Sequence, residues 1–260
     1  MRRRIGSGGF ATVWLAYDEQ LDSPVAVKVL ADNWTEDHHV RQRFLEEGRF
    51  LRKVDSPHVV PVYDAGELED GRPFLVMAYA DQGNLADRLA VGPLGMGQAL
   101  SVVRQVGSGL QALHRRDVLH RDLKPANIIL DASGAARVLD FGVAKAEGRL
   151  AHTREGEIKG KIAYMAPEQL RGEVDRRTDI FACGIVLWEL ACGRRMFEGA
   201  GDADILTRLM TANIDSPSKY VPDLPRPLVE CIMKALHARP SERFGTAKEL
   251  ALAIESAIGI

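Results

Sequence analysis

"HRDLKPANIILD", residues 120–131, decides how this chain is read. An aspartate, a lysine two places on and an asparagine three further on sit between apolar flanks. Pro125 interrupts them, so the segment is not expected to be helix interior. Asp122 could take or guide a proton from an attacking hydroxyl. Lys124 could neutralise charge on a transferring group, and Asn127 could offer a hard oxygen to a divalent cation. Those parts suit phosphoryl transfer, in which positioning and charge neutralisation do most of the work. Taken alone, the same residues also describe a polar loop that closes a helix.

Downstream, "LDFGVAK" places Asp140 13 residues after Asn127, at the end of an apolar segment. Mg²⁺ takes few protein oxygens and completes its shell with phosphate and water, which one aspartate and one asparagine satisfy. Upstream, "IGSGGFATV" (5–13) carries Gly6, Gly8 and Gly9 ahead of a strand-like run. Glycine lets backbone amides approach a phosphate without a Cβ in the way. A dinucleotide-binding turn requires a helix next, and β-branched "TVWLAYD" follows instead; Gly160-Lys161 is followed by Ile162, which fails the Walker pattern. Lys28, in "VAVK", falls at a strand position 22 residues after Gly6. Glu47, in "RFLEEGRFL", is its candidate partner, although a helical glutamate beside Glu46 is also an ordinary surface residue.

The rest of the chain fits an intracellular globular protein. Its 260 residues suit one large domain or two lobes sharing a cleft. Apolar residues make up 46% and charged residues 27%, with a net charge of −2. The core can therefore be substantial, and the balance argues against a polybasic nucleic-acid binder. Cys183, Cys192 and Cys231 lack CxxC spacing and read as reduced thiols. No apolar run reaches 18 residues, and "MRRRIG" has no signal-peptide core. We expect a cytoplasmic domain with no membrane contact from this segment, which a longer protein could still anchor.

Strand character is expected over 11–18, 23–30, 61–68 and 73–80, with turns at "EQLDS" and "EDGR". A helix is expected at about 37–54. Ala99, Val103, Val106, Leu110 and Leu113 step by 4, 3, 4 and 3 residues, which is one helical face. "DIFACGIVLWELACG" (179–193) is apolar nearly all round and predicts a buried helix. "ELALAIESAI" predicts a closing helix. Strands first and helices later suggest two lobes meeting near residues 80–84.

The Gly-rich loop, "VAVK", the helical glutamate, "HRDLKPAN", "DFG", "APE" and "DIFACG" occur in one order across nearly the whole chain. In this the chain resembles a protein kinase domain, and "HRDLKPAN" resembles the serine/threonine class. "PVYDAGELEDGRPFLVMAYA" and "YMAPEQLRGE" are similar to the eukaryotic-like kinases of bacteria. The resemblance implies an α+β bilobal kinase-like fold, with a small antiparallel β-sheet lobe bearing one main helix and a larger helical lobe. It implies one domain over 1–260, with a smaller lobe over about 1–79, a hinge over about 78–84 and a larger lobe over about 85–260.

The resemblance also implies roles. Lys28 holds the α- and β-phosphates of ATP and pairs with Glu47; Asp122 is the base; Lys124 touches the γ-phosphate; Asn127 and Asp140 bind Mg²⁺. The nucleotide site draws on Ile5, Gly6, Ser7, Gly8, Gly9, Phe10, Ala11, Thr12 and Val13. Val13, Ala26 and Ile129 sandwich the adenine, Met77 is the gatekeeper, and backbone groups of Ala78 and Ala80 bond the base. Glu168 pairs with Arg243 as a structural ion pair. The reaction expected is transfer of the γ-phosphate of ATP to serine or threonine hydroxyls of protein substrates, with autophosphorylation and self-association in trans. An ATP-binding pseudokinase scaffold is the alternative, and a small-molecule kinase is disfavoured by "APE" with "DIFACG".

Four departures qualify the resemblance. Ala11 replaces the loop's third glycine. Ala78 stands where the family often has glutamate. Lys161 stands where serine/threonine members usually have threonine, so it either reaches Asp122 with charge or is a solvated loop residue. Only five residues precede Gly6, so the loop is expected to be poorly anchored. Arg121 precedes Asp122, a pair that often requires an anion on the activation segment. Thr153 is the only serine or threonine between Asp140 and Glu168 and is the expected phosphosite, with Glu155 and Glu157 as rival anions.

Overall fold

A computed structural model describes residues 2–139, 162–199, 201–211, 213–257 and 259. Its first part is a five-stranded antiparallel sheet. The strands are β1 (Arg3–Ser7), β2 (Ala11–Asp18), β3 (Ser23–Leu30), β4 (Val62–Glu67) and β5 (Pro73–Ala78), in spatial order β1-β2-β3-β5-β4. The β2, β3, β4 and β5 expectations hold to within a few residues at their ends. β1 had no strand pattern of its own; it pairs with β2 from Arg3↔Leu15 to Ser7↔Thr12, with an irregularity between Arg4 and Gly6.

Alternation along β3 divides its side chains between two faces. Val25, Val27 and Val29 join a small outer cluster with Ala16. Ala26 and Leu30 enter the main core, and Lys28 shares their face. Helix α1 (His38–Leu51) covers that face. Asp37 caps it by accepting from the amides of His39 and Val40. Its buried stripe is Val40, Phe44, Glu47, Gly48 and Leu51. Gly48 permits the close approach: a Cβ there would collide with the side chain of Leu75 on β5. A helix that sits this low on the sheet brings Glu47 within reach of β3.

The remainder of the described residues is mainly helical: α2 (Leu85–Val91), α3 (Met96–His114), α4 (Arg176–Cys192), α5 (Asp202–Met210), α6 (Arg226–Ala235) and α7 (Ala247–Ala257). Two three-residue strands, β6 (Ile128–Leu130) and β7 (Ala136–Val138), form a separate ribbon. Helix α4 is buried from Thr178 through Ala191, as its all-round apolar sequence predicts. α3 packs against α4, α7 and β7. The two parts are stitched where the chain crosses between them. The amide of Leu130 donates to the Gly83 carbonyl at 3.0 Å, and that of Val60 to the Val138 carbonyl at 3.1 Å. One core cluster runs from Ala26 and Met77 through Leu123 and Ile128 to α4.

Candidate active site

The ammonium of Lys28 lies 2.9 Å from Oε1 of Glu47. Both residues are buried, 8% and 3% exposed, and Phe44 presents its ring to the ammonium at 5.7 Å. A buried lysine needs an anionic partner, and α1 supplies one. The pairing expected from sequence is therefore present.

Asp122, Lys124 and Asn127 also come together. The Lys124 ammonium is 3.4 Å from Oδ2 of Asp122. Nδ2 of Asn127 donates to the Asp122 carbonyl at 2.7 Å and to Asp122 Oδ2 at 3.1 Å. Both amide hydrogens of Asn127 are thus spent on Asp122, which leaves Oδ1 as the oxygen a hard cation would take. The Asn127 carbonyl accepts from the amide of Leu139 at 2.9 Å. Asp140, expected as the second metal ligand, is the next residue and lies outside the described residues, as do Thr153, Glu155, Glu157 and Lys161. The one described member of the expected ligand pair, Asn127 Oδ1, is a hard oxygen of the kind Mg²⁺ takes.

The loop bearing Asp122 hangs from a carboxylate that sequence reading assigned no role. Asp179, in the first turn of α4, accepts from the amides of His120 and Arg121, each at 2.8 Å, and meets Nε2 of His114 at 2.7 Å. Burial opposes ionisation of Asp179, but the bonds from His114, the nearby His120 and the Arg121 amide hold its carboxyl below the ordinary range. Arg121 itself has a left-handed φ of 61°, uncommon for a residue with a side chain. Its carbonyl accepts from Nε2 of Gln169 at 2.8 Å. His120 bonds the Leu139 carbonyl at 3.0 Å. In the sequence Asp179 stood only as the first residue of "DIFACG", at the head of an otherwise apolar helix, with no individual role. Nε of Arg121 is buried and has no hydrogen-bond partner among the described residues.

The expected nucleotide residues fall into two groups. Ala26 and Met77 are buried opposite each other on β3 and β5, and Val13, Ala78 and Ile129 pack against the same core. The Ala78 amide donates to the Pro61 carbonyl at 3.1 Å, so of its two backbone groups only the carbonyl is left for a base. Ala80 is buried, and its amide has no acceptor among the described residues. The second group is the glycine loop. Gly6 and Gly8 have negative φ and no close neighbour: a Cβ at Gly6 would meet Val13 at 3.5 Å, and one at Gly8 would meet the Ala11 carbonyl at 3.9 Å. The fold does not itself require glycine there, whereas phosphates approaching the backbone would.

Poor anchoring of the loop is not what the structure has. The Gly8 amide closes a turn onto the Ala11 carbonyl at 3.0 Å, and Trp34 bonds the Gly9 carbonyl at 2.8 Å. The anchor comes from a residue 25 positions later, which a reading of the flanking chain does not reach.

The profile of the family described as "Protein kinase domain" matches residues 1–253. Among curated relatives, serine/threonine-protein kinase PrkC of Bacillus subtilis is 36% identical over 257 residues, covering 98% of this chain and 40% of that protein. Serine/threonine-protein kinase PknA of Corynebacterium glutamicum is 37% identical over 258 residues, covering 97% of this chain and 54% of that protein. The chain thus spans about half the length of the curated relatives it matches. Among solved structures, the PknI kinase domain of Mycobacterium tuberculosis superposes with a TM-score of 0.76 at 28% identity, covering 99% of this chain and 94% of that one.

Proposed function

The chain belongs to the protein kinase domain family, and from that premise we propose that it transfers the γ-phosphate of ATP to serine and threonine hydroxyls of proteins. The observation that carries the proposal is the setting of Asp122: a buried carboxylate bracketed by the Lys124 ammonium and the Asn127 amide.

Each described residue has a part. The Asp122 carboxylate takes the proton of the acceptor hydroxyl as its oxygen bonds the γ-phosphorus, the bond to the β–γ bridging oxygen breaks, and ADP leaves. Lys124 neutralises charge on the transferring group. Lys28, held by Glu47, fixes the α- and β-phosphates. Asn127 Oδ1, with Asp140, would hold Mg²⁺, which when bound neutralises charge on the phosphate oxygens. Ala26, Met77, Val13 and Ile129 supply apolar surface for adenine, with the Ala78 carbonyl and the Ala80 amide as its polar partners.

Regulation follows from Arg121. A guanidinium nitrogen of Arg121 that is buried and has no partner among the described residues, beside Asp122, is a place for an anion. A phosphate on Thr153, added by a second copy of the chain, is the anion we propose.

The test is transfer of labelled γ-phosphate from Mg-ATP to a peptide library containing serine, threonine and tyrosine acceptors. Wild type is expected to label serine and threonine peptides, and Asp122→Asn to lose nearly all of that transfer. ATP binding without transfer by wild type would instead make the domain a nucleotide-binding scaffold. Labelling confined to tyrosine would overturn the acceptor class.

A further inference from the structure

Trp34 closes a three-residue turn, Asp32–Trp34, between β3 and α1, and is 8% exposed. Its indole N–H donates to the Gly9 carbonyl at 2.8 Å. Its ring stacks on Phe10 with centroids 4.9 Å apart and planes 12° from parallel. The Ala31 amide donates to the Phe10 carbonyl at 3.0 Å. Consecutive backbone bonds continue the strap: the Trp34 amide donates to the Ala31 carbonyl at 3.0 Å, and the Asp37 amide to the Trp34 carbonyl at 3.1 Å. Asp37 then caps α1. The tip of the glycine loop is therefore bonded, through Trp34, to the start of the helix that carries Glu47.

We propose that Trp34 is a nucleotide-positioning residue, which orders the phosphate-facing tip of the loop before ATP arrives. The inference rests on the kinase reading above and adds a residue to it. A loop with glycines at 6, 8 and 9 has more conformations to lose on binding than most. Ordering it in advance removes that cost from the binding step. The trans peptide unit points its carbonyl and its N–H in opposite directions. Bonding the Gly9 carbonyl to Trp34 therefore turns the Phe10 N–H away from the indole. That N–H has no acceptor among the described residues, so it is available to a phosphate oxygen. Stacking on Trp34 fixes where the Phe10 ring lies.

Two variants of the chain separate the contributions. Trp34→Phe keeps an aromatic ring for Phe10 and loses the N–H donor; Trp34→Ala loses both. The measurements are the dissociation constant for Mg-ATP by calorimetry, KM for ATP, KM for a peptide substrate, and thermal unfolding. Loss of one neutral hydrogen bond predicts a rise of about two- to tenfold in Kd and KM for ATP in Trp34→Phe, and a larger rise in Trp34→Ala. KM for the peptide stays at the wild-type value. A purely structural role would lower the unfolding temperature without this split between the two substrates. Unchanged ATP affinity in Trp34→Phe overturns the inference while leaving the kinase reading intact. Failure of wild type to bind ATP overturns both. If Trp34→Ala does not fold, the Trp34→Phe comparison decides.

Discussion

Glu168 and Arg243, 75 residues apart, join in two charge-assisted hydrogen bonds of 2.6 and 2.8 Å. The arginine side chain is fully buried. Its remaining donors go to the carbonyls of Arg177, His237 and Ala238, and its guanidinium lies over Phe181 at 4.6 Å. Removing one member strands a charge in the interior. Arg243→Ala is expected to cost about 3–5 kcal/mol, read from the midpoint of denaturant unfolding. A loss below about 1 kcal/mol would show that water enters the site and solvates Glu168.

The Lys28–Glu47 pair predicts a different result. Lys28→Met removes the cation proposed to fix the phosphates and should lower kcat by about 10²–10³. Glu47→Gln keeps the shape of the partner but not its charge, so Lys28 is held less firmly and the loss should be smaller. Near-equal rates for Lys28→Met and wild type would remove Lys28 from the mechanism.

Asp179 makes acid stability a readout of the loop anchor. Its native carboxyl titrates below the unfolded one, so its contribution is complete above the ordinary carboxylate pKa of about 3.9 and is lost as pH falls through the native value. Wild type should therefore lose stability on acidification faster than Asp179→Asn does. The variant should also transfer phosphate more slowly at neutral pH, because the amides of His120 and Arg121 lose a charged acceptor. Parallel acid profiles for the two proteins would exclude this account.

For Thr153, the decisive comparison uses enzyme freed of phosphate. Incubation with Mg-ATP should raise the activity of wild type and leave Thr153→Ala unchanged. Arg121→Ala should remove the response to phosphorylation. Equal activity of dephosphorylated and phosphorylated wild type would favour Glu155 or Glu157 as the permanent anion.

The site was legible in the sequence where its residues lie in short ordered motifs. Lys28 pairs with Glu47 and Glu168 with Arg243, as the motifs imply, and Asp122, Lys124 and Asn127 lie in contact. The long strands and helices were legible because their apolar spacing is strong. The parts that escaped are long-range supports. Asp179 reads as the start of an apolar helix, yet its carboxylate holds a loop 59 residues earlier. Trp34 reads as a lone aromatic in a polar connection, yet it holds the glycine loop. Periodicity reports which face of an element is buried and not which distant backbone a side chain will bond. β6 and β7, with three residues each, are too short to show a period.

The dependence of the Asp122 loop on Asp179 has a consequence for synthesis on the ribosome. Translation delivers residues 120–127 first, and the carboxylate that clasps His120 and Arg121 only 59 and 58 residues later. Until helix α4 has left the exit tunnel, the nascent chain carries Asp122 on an unclasped segment. A chain cut short before α4 is therefore expected to carry residues 120–127 without the carboxylate that clasps them.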